Sequence, residues 1–372
     1  MKKLAKVCML STMVLTALTG CGQKNDDKIR VGYIGPLTGT TAVYGNAVKN
    51  AYELAVSEIN ENGGVLGKEI VVDYIDDQSK VQDAIKAYDK LLSNDTHFIL
   101  GAVTSGSAKA VAEKSKQDGI PMLTPTGTDN DITVGKDNVF RTCFTDPMQG
   151  RIMADFAKEM GFKNIGIVYD SGDPYSTGVA TAFEAKAKEN AIKVSKEAYP
   201  SGTSDFSAII TKVKNNEAIF IPSYYEDDVK FVQQARSAGF TGKFLGADGW
   251  DGVIRQIKGE DGKGDPTPLN GSYFCAHYYA KDENVKAFVE KYTSTYKIAP
   301  DSFAALAYDS VYIMKEAIER ANSLDYDKVV EAMKNTDYKG ITGHIKFDEN
   351  GDPIKSTTII EVKDGEYTKF TK

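Results

Sequence analysis

The chain has 372 residues, 41% of them hydrophobic and 26% charged, with a formal net charge of −7. That balance is ordinary for a globular protein, and an acidic chain with interspersed signs argues against nucleic acid or an anionic lipid surface as the main partner. No segment beyond the N terminus stays apolar for about 18 positions, which excludes a later membrane-spanning helix, and the length suffices for two domains with separate cores.

The chain opens with Lys2, Lys3 and Lys6, followed by an uncharged, mostly apolar run from Val7 to Leu18 and then Leu18-Thr19-Gly20-Cys21. Basic, apolar and small residues in that order form an export signal, and the run is too short for a stable membrane span. Its last four residues resemble a bacterial lipobox. On that reading residues 1–20 are a lipoprotein signal peptide, Cys21 carries the lipid, and residues 21–28 are a polar tether. The alternatives are a signal peptide cut elsewhere and an uncleaved anchor. The expected location is extracytoplasmic, lipid-anchored to the cell membrane. Cys8 then leaves with the leader, and Cys143 and Cys275 remain, expected as two buried free thiols. Export permits their oxidation, but sequence spacing does not establish it.

Strand and helix patterns then alternate. Ile29–Ile34 predicts a strand, Ala47–Ile59 a helix ended by Gly63-Gly64, Ile70–Ile75 a strand and Val81–Leu92 a helix. Phe98–Gly101, Ala108–Lys116 and Ile120–Leu123 continue a parallel α/β layout. The pattern restarts near residue 150 with Ile165–Tyr169 and Thr177–Glu189. Lys193–Ala198, Phe206–Lys214, Ala218–Ile221, Asp227–Ala238 and Lys243–Leu245 follow. In each half the first strand runs into a Gly-rich loop that delivers a tyrosine before its helix, Tyr44-Gly45 and Tyr175-Ser176. Two similar α/β domains follow from this, by shared ancestry or by convergent helix-start chemistry. Asn284–Tyr296, Phe303–Ala321 and Tyr326–Met333 predict three successive helices that return to the first domain. Asp348-Glu349-Asn350-Gly351-Asp352 suits a hairpin between Ile345–Phe347 and Thr357–Val362.

The sharp enzyme and metal motifs are missing: no HExxH, paired Cys-x-x-Cys, GxxxxGK[ST] or G-x-S-x-G occurs. His97, His277 and His344 are isolated and expected to be surface or core residues. No catalytic residue, metal ligand or cofactor is assigned. Polar residues collect instead beyond the carboxyl ends of strands, where open parallel sheets bind ligands. Gly101 to Ser107 opens a helix with hydroxyls and N–H groups fit for a carboxylate, though Ser105 alone is equally a helix cap. Pro125-Thr126-Gly127-Thr128 adds more. Ser223-Tyr224-Tyr225 and Gly246-Ala247-Asp248-Gly249-Trp250 occupy the matching places in the second half, and Asp248 is placed to face a cation or to serve as a turn residue.

Over about residues 29–365 the chain resembles the branched-chain amino-acid-binding proteins of ATP-driven (ABC) importers, a branch of the type I periplasmic binding proteins. The resemblance rests on Gly35-Pro36-Leu37-Thr38-Gly39 with Tyr44-Gly45, and on Glu58-Ile59-Asn60 with Gly63-Gly64-Val65-Leu66-Gly67. It rests also on Asp76-Asp77, Gly101 to Ser107, Pro121 with Thr124-Pro125, Asp170 with Tyr175-Ser176-x-Gly178, and Gln234-Ala235-Arg236 with Gly239. It implies an α/β, two-lobed type I periplasmic-binding-protein fold. Each lobe would be a parallel sheet flanked by helices, with three inter-lobe crossovers and an amino acid enclosed between the lobes. Residues 29–142 plus 276–342 would form the N-terminal lobe and 143–275 plus 343–372 the C-terminal lobe.

By the same resemblance, Ser105 and Thr128 hold the ligand carboxylate, and Asp248 and the Thr126 carbonyl hold its ammonium. Tyr44, Tyr175 and Tyr224 close around it, and Val103, Thr104, Phe303 and Trp250 shape the side-chain pocket. Asp248 is shorter than the glutamate of some relatives. Gln78, Ser79 and Thr104 stand where some relatives carry a disulfide, so Thr104 makes this pocket more polar. Cys143 and Cys275 both fall near crossovers, where a bridge requires Cα atoms within about 7 Å. The implied partners are an amino-acid ligand, the transmembrane subunits of an ABC permease, and the membrane through the N-terminal lipid, with no nucleic acid. A sensor that presents its closed form to a signalling receptor is the alternative, and an exported enzyme a third reading.

Overall fold

The computed structural model describes residues 28–259 and 261–371. The leader, Cys21 and the tether through Asp27 lie outside the described residues. Five parallel strands form the first sheet: β1 (Lys28–Gly35), β2 (Glu69–Asp76), β3 (Phe98–Gly101), β4 (Met122–Thr124) and β5 (Val139–Arg141), in the order β2-β1-β3-β4-β5. Most of these strands read as short apolar runs because helices cover both faces. Helix α1 (Ala42–Glu61) lays Ala51 and Ala55 in the core cluster that holds Val31 and Tyr33. Helices α2 (Val81–Ser93) and α3 (Ser105–Asp118) cover the other face, with Ala84, Leu91, Ala108 and Val111 clustered with Ile34 and Ile99. Helix α3 stops at Gly119, whose φ of +71° is the left-handed conformation that helix C-termini favour.

The second sheet repeats that plan. After α4 (Asp146–Glu159) come β6 (Asn164–Asp170), α5 (Pro174–Glu189), β7 (Lys193–Tyr199), α6 (Ser207–Val213) and β8 (Ala218–Phe220). Then follow α7 (Tyr225–Ser237), β9 (Lys243–Gly246), α8 (Val253–Lys258) and β10 (Ser272–Ala276). Their order, β7-β6-β8-β9-β10, is the order of the first sheet again. Helices α9 (Lys286–Tyr296) and α10 (Ser302–Ala321) pack beside α1, and α11 (Tyr326–Lys334) packs on α10. There Tyr296 donates to Asn50 O at 2.7 Å, and Tyr312 donates to Glu58 at 2.6 Å.

The predicted hairpin is corrected. The turn at Asp348–Asp352 forms, with Asp348 N to Asp352 O at 2.9 Å, but the flanking strands do not pair with each other. β12 (Gly343–Ile345) pairs back with β11 (Tyr338–Gly340). β13 (Thr358–Lys363) instead joins the second sheet antiparallel to β10 and carries the edge strand β14 (Glu366–Lys369). The stretch between them lies on the first sheet, where Asp352 accepts from Arg141 and Thr133. Cys143 and Cys275 are free and buried, as the composition argued, not bridged. Their thiols donate to Gly127 O at 3.2 Å and Gln149 Oε1 at 3.6 Å.

Candidate functional site

Both sheets share a topological switch point, between β1 and β3 in the first and between β6 and β8 in the second. At such a point the loops leaving adjacent strands diverge and open a crevice. Tyr44 follows β1, Val103 to Ser105 follow β3, and Thr126 and Thr128 follow β4. Tyr175 follows β6, Tyr224 follows β8, and Asp248 and Gly249 follow β9. These residues, with Phe303 from the start of α10, line one small cavity where the two sheets' crevices meet.

The wall from the first sheet is a cradle of hydroxyls and amides. Ser105 Oγ accepts from Thr128 N at 3.1 Å and Asp129 N at 3.3 Å, so the start of α3 and the loop after β4 are fixed to each other. Thr126 Oγ1 donates to Val103 O at 2.7 Å. The first N–H groups of α3 have no partner inside the helix and carry its positive dipole end. Thr104 Oγ1 is buried in this wall with no hydrogen-bond partner among the described residues. A buried hydroxyl left unpaired is costly, and this one lines the cavity. At Gly101 (φ +148°) an added Cβ would meet Ile34 O at 2.7 Å, which leaves glycine as the residue that lets β3 turn into the cradle.

The opposite wall carries the negative charge. Asp248 is 3% exposed, and its backbone N–H is held by Gln149 Oε1 at 2.9 Å. His277 Nε2 lies 3.0 Å from Asp248 Oδ2. Burial pushes the imidazole down to about 4, against the pull of Asp248, so near neutral pH it is uncharged and its Nε2–H donates to the carboxylate. That fixes the tautomer and leaves Nδ1 without a partner among the described residues. The ring stacks on Phe144 with centroids 3.6 Å apart. His277 was expected as an ordinary core or surface histidine; it is buried, and it also orients the one carboxylate that lines the cavity.

Aromatic rings shut the cavity. Tyr44 stacks on Phe303 at 4.1 Å and Tyr175 on Tyr224 at 5.1 Å. Tyr44 OH donates to Gly249 O and accepts from Tyr225 N at 3.1 Å, while Tyr225 OH donates to Thr40 O at 2.6 Å. These bonds join loops of the first sheet to loops of the second. Gly249 N donates to Tyr175 OH at 2.9 Å, an approach that a side chain would block by meeting Ser223 O at 2.4 Å. About 10 Å³ remains inside, room for roughly one water. Any larger ligand enters only when the walls part.

Trp250 is corrected: it does not line the cavity. Its buried indole needs a partner for Nε1–H and finds Ile221 O at 2.8 Å, so it supports the Asp248 loop from behind. Arg141 was not singled out from the sequence. Its guanidinium, fully buried, donates to Gly127 O at 3.0 Å, Asp129 O at 2.9 Å and Thr133 Oγ1 at 2.7 Å, and pairs with Asp352 at 2.6 Å. It therefore holds the loop that carries Thr126 and Thr128. A lone arginine after Val139-Phe140 is the only sequence signal of this.

Two sheets whose strand-end loops meet across a shut, polar-walled cavity define a ligand-enclosing binding protein. The chain belongs to the periplasmic binding protein family, whose model matches residues 28–366, and so stands among binding proteins rather than enzymes. It is 31% identical over 353 residues to "Leu/Ile/Val-binding protein homolog 3" of Brucella melitensis, covering 92% of this chain and 94% of that protein. It is 29% identical to the "Leucine-, isoleucine-, valine-, threonine-, and alanine-binding protein" of Pseudomonas aeruginosa, covering 88% of this chain and 87% of that one. The leucine-binding protein LivK of Thermotoga maritima superposes with a TM-score of 0.86 at 33% identity, covering 92% and 98% of the two chains. The branched-chain amino acid transporter substrate-binding protein LivJ of Streptococcus pneumoniae, in complex with isoleucine, gives 0.85 at 29% identity, covering 91% and 97%.

Proposed function

We propose that this chain is the extracytoplasmic solute-binding lipoprotein of an ABC importer, which encloses one amino acid between two lobes and delivers it to the permease. The lobes on this reading are residues 29–142 with 276–342 and 143–275 with 343–372, the last running over the first lobe as far as Asp352. The observation that carries the reading is the polarity of the cavity. Ser105, Thr128 and the N-terminus of α3 offer donors on one wall, and Asp248 offers a buried carboxylate on the other. A zwitterion matches both poles, and leaving either unpaired would be costly. Because the poles belong to different sheets, only the closed state makes both sets of contacts, so the ligand favours closure. Val103, Phe303 and the stacked tyrosines suit a branched-chain, small apolar or aromatic side chain, with Thr104 Oγ1 as a polar exception.

The test is thermal unfolding of ligand-stripped, refolded protein against single amino acids. A ligand at 100 times its dissociation constant adds about 2.7 kcal/mol, and a selective stabilisation by one group of amino acids is expected. No stabilisation by any amino acid would overturn the reading. The anchor is tested separately: Cys21→Ser is expected to move the protein from the membrane to the soluble fraction, and its retention on membranes would contradict the lipid.

A further inference from the structure

A second cavity lies beside the connecting stretch Ala276–Lys281 and shares no lining residue with the first. It measures about 490 Å³, within the roughly 300–1,000 Å³ of small-molecule sites. Elements of both sheets wall it, Val43 and Ala47 of α1 on one side and Ile254 of α8 and Phe274 of β10 on the other. Tyr278, Tyr292 and Tyr367 also line it, with their hydroxyls already engaged. Tyr278 OH donates to Pro300 O, Tyr292 OH to Ala47 O at 3.4 Å, and Tyr367 OH to Trp250 O at 3.2 Å while it accepts from Gly252 N at 2.9 Å. What these rings offer the cavity is therefore apolar surface and π density.

Three carboxylate side chains line the cavity: Asp251 and Asp301 among the rings, and the exposed Glu366 at its edge. Asp251, 6% exposed, accepts from Ser302 N at 2.7 Å, and Asp301 caps α10 through Ala304 N at 2.8 Å. Neither has a cationic side chain within ion-pair distance among the described residues, although Arg255 of α8 is exposed at the rim and Lys281 is paired with Glu366 at 2.8 Å. Burial raises the carboxyls of Asp251 and Asp301 above their usual range, Asp301 to about 8 with the charge of Asp251 adding to the effect and that of Arg255 opposing it, so near neutral pH Asp301 keeps its proton until a cation enters beside it. The fields of both carboxylates reach Tyr278 and Tyr367.

We infer that this cavity is a binding site for a small organic cation, an ammonium ion with an apolar body, whose head sits by Asp251 and Asp301 with the rings of Tyr278 and Tyr367 around it. Asp251 and Asp301 disfavour an anion. A neutral molecule would gain the apolar contacts alone, whereas an ammonium head also gains charge-assisted hydrogen bonds and ring-face attraction. The cleft for the amino acid uses none of these groups, so the inference goes beyond that site.

The experiment is calorimetric titration of the full chain near pH 9, about one unit above the Asp301 carboxyl and still below the range of an alkylammonium, with phenethylamine and with 2-phenylethanol, its uncharged counterpart. Phenethylamine is expected to bind at least about tenfold more tightly than the alcohol. Asp301→Asn is expected to remove most of that preference, and Ile254→Trp, which fills the cavity from its rim, to abolish binding of both. Absence of amine binding, equal binding of amine and alcohol, or amine binding that survives both substitutions unchanged would overturn the assignment.

Discussion

Replacing Tyr44 with phenylalanine removes one oxygen atom and two hydrogen bonds that cross the cleft. Tyr44 OH donates to Gly249 O after β9 and accepts from Tyr225 N at the start of α7. The ring is fully buried and stays stacked on Phe303 at 4.1 Å, so the packing survives the change. Each bond contributes about 0.5–1.5 kcal/mol. Both are made between the two sheets, so their loss of about 1–3 kcal/mol falls on closure rather than on the folding of either sheet. At 1.4 kcal/mol per decade this weakens ligand affinity by about 5- to 150-fold, while the unfolding midpoint without ligand moves little. Calorimetric titration of wild type and Tyr44→Phe with the amino acid that stabilises the protein most measures it directly. An unchanged dissociation constant would refute the reasoning, because it would mean that the Tyr44 hydroxyl does not help to hold the closed state.

Two further substitutions test the groups behind the cavity walls. His277 is held down to about 4 in the fold, against about 6.5 in an unfolded chain. As pH drops from about 6.5 to about 4 the unfolded chain takes up a proton that the folded chain refuses, so this group removes about 3 kcal/mol of stability across that window. His277→Gln keeps an N–H for Asp248 and should flatten the dependence; identical slopes in urea denaturation of the two proteins at neutral and acidic pH would contradict the assignment. Arg141→Met leaves Asp352 and the carbonyls of Gly127 and Asp129 without their buried cation. Breaking such a pair costs about 3–5 kcal/mol, and a loss no larger than the ~0.5 kcal/mol of a surface change would show that Arg141 does not hold the loop.

Much of this architecture was legible because strand, Gly-rich loop and helix alternate with clear periodicity. The predicted segments at Ile70–Ile75, Val81–Leu92 and Phe98–Gly101 coincide with β2, α2 and β3 to within a residue. The cavity-lining tyrosines and hydroxyls were legible for the same reason, since a position just past a strand end is a local property of the sequence. What escaped was non-local. Strand β5 holds two apolar residues and then an arginine, so no apolar run marks it. The run before β10 is full of Gly, Asp and Lys and hides both α8 and the strand. The turn at Asp348–Asp352 looked like a hairpin because turn chemistry is local, whereas the partner of β13 is β10, which lies far away in sequence. Trp250 was read by its position in the loop, but a buried indole follows its N–H, and that faces Ile221. His277 and Arg141 gain their roles from residues 29 and 211 positions away, which spacing along one chain does not reveal.

On the proposed function, one zwitterion bridges a donor cradle on the first sheet and Asp248 on the second. A calorimetric comparison of the preferred amino acid with the same molecule lacking its ammonium, and with its carboxamide, which keeps the ammonium but has no carboxylate, tests this bridge. Each analogue leaves one pole of the cavity unpaired, and a lost charged hydrogen bond alone removes about 1.5–3 kcal/mol, so each is predicted to bind at least about tenfold more weakly. If the deaminated acid bound as tightly as the amino acid, Asp248 would not be the ammonium partner and the bridge between the sheets would be contradicted.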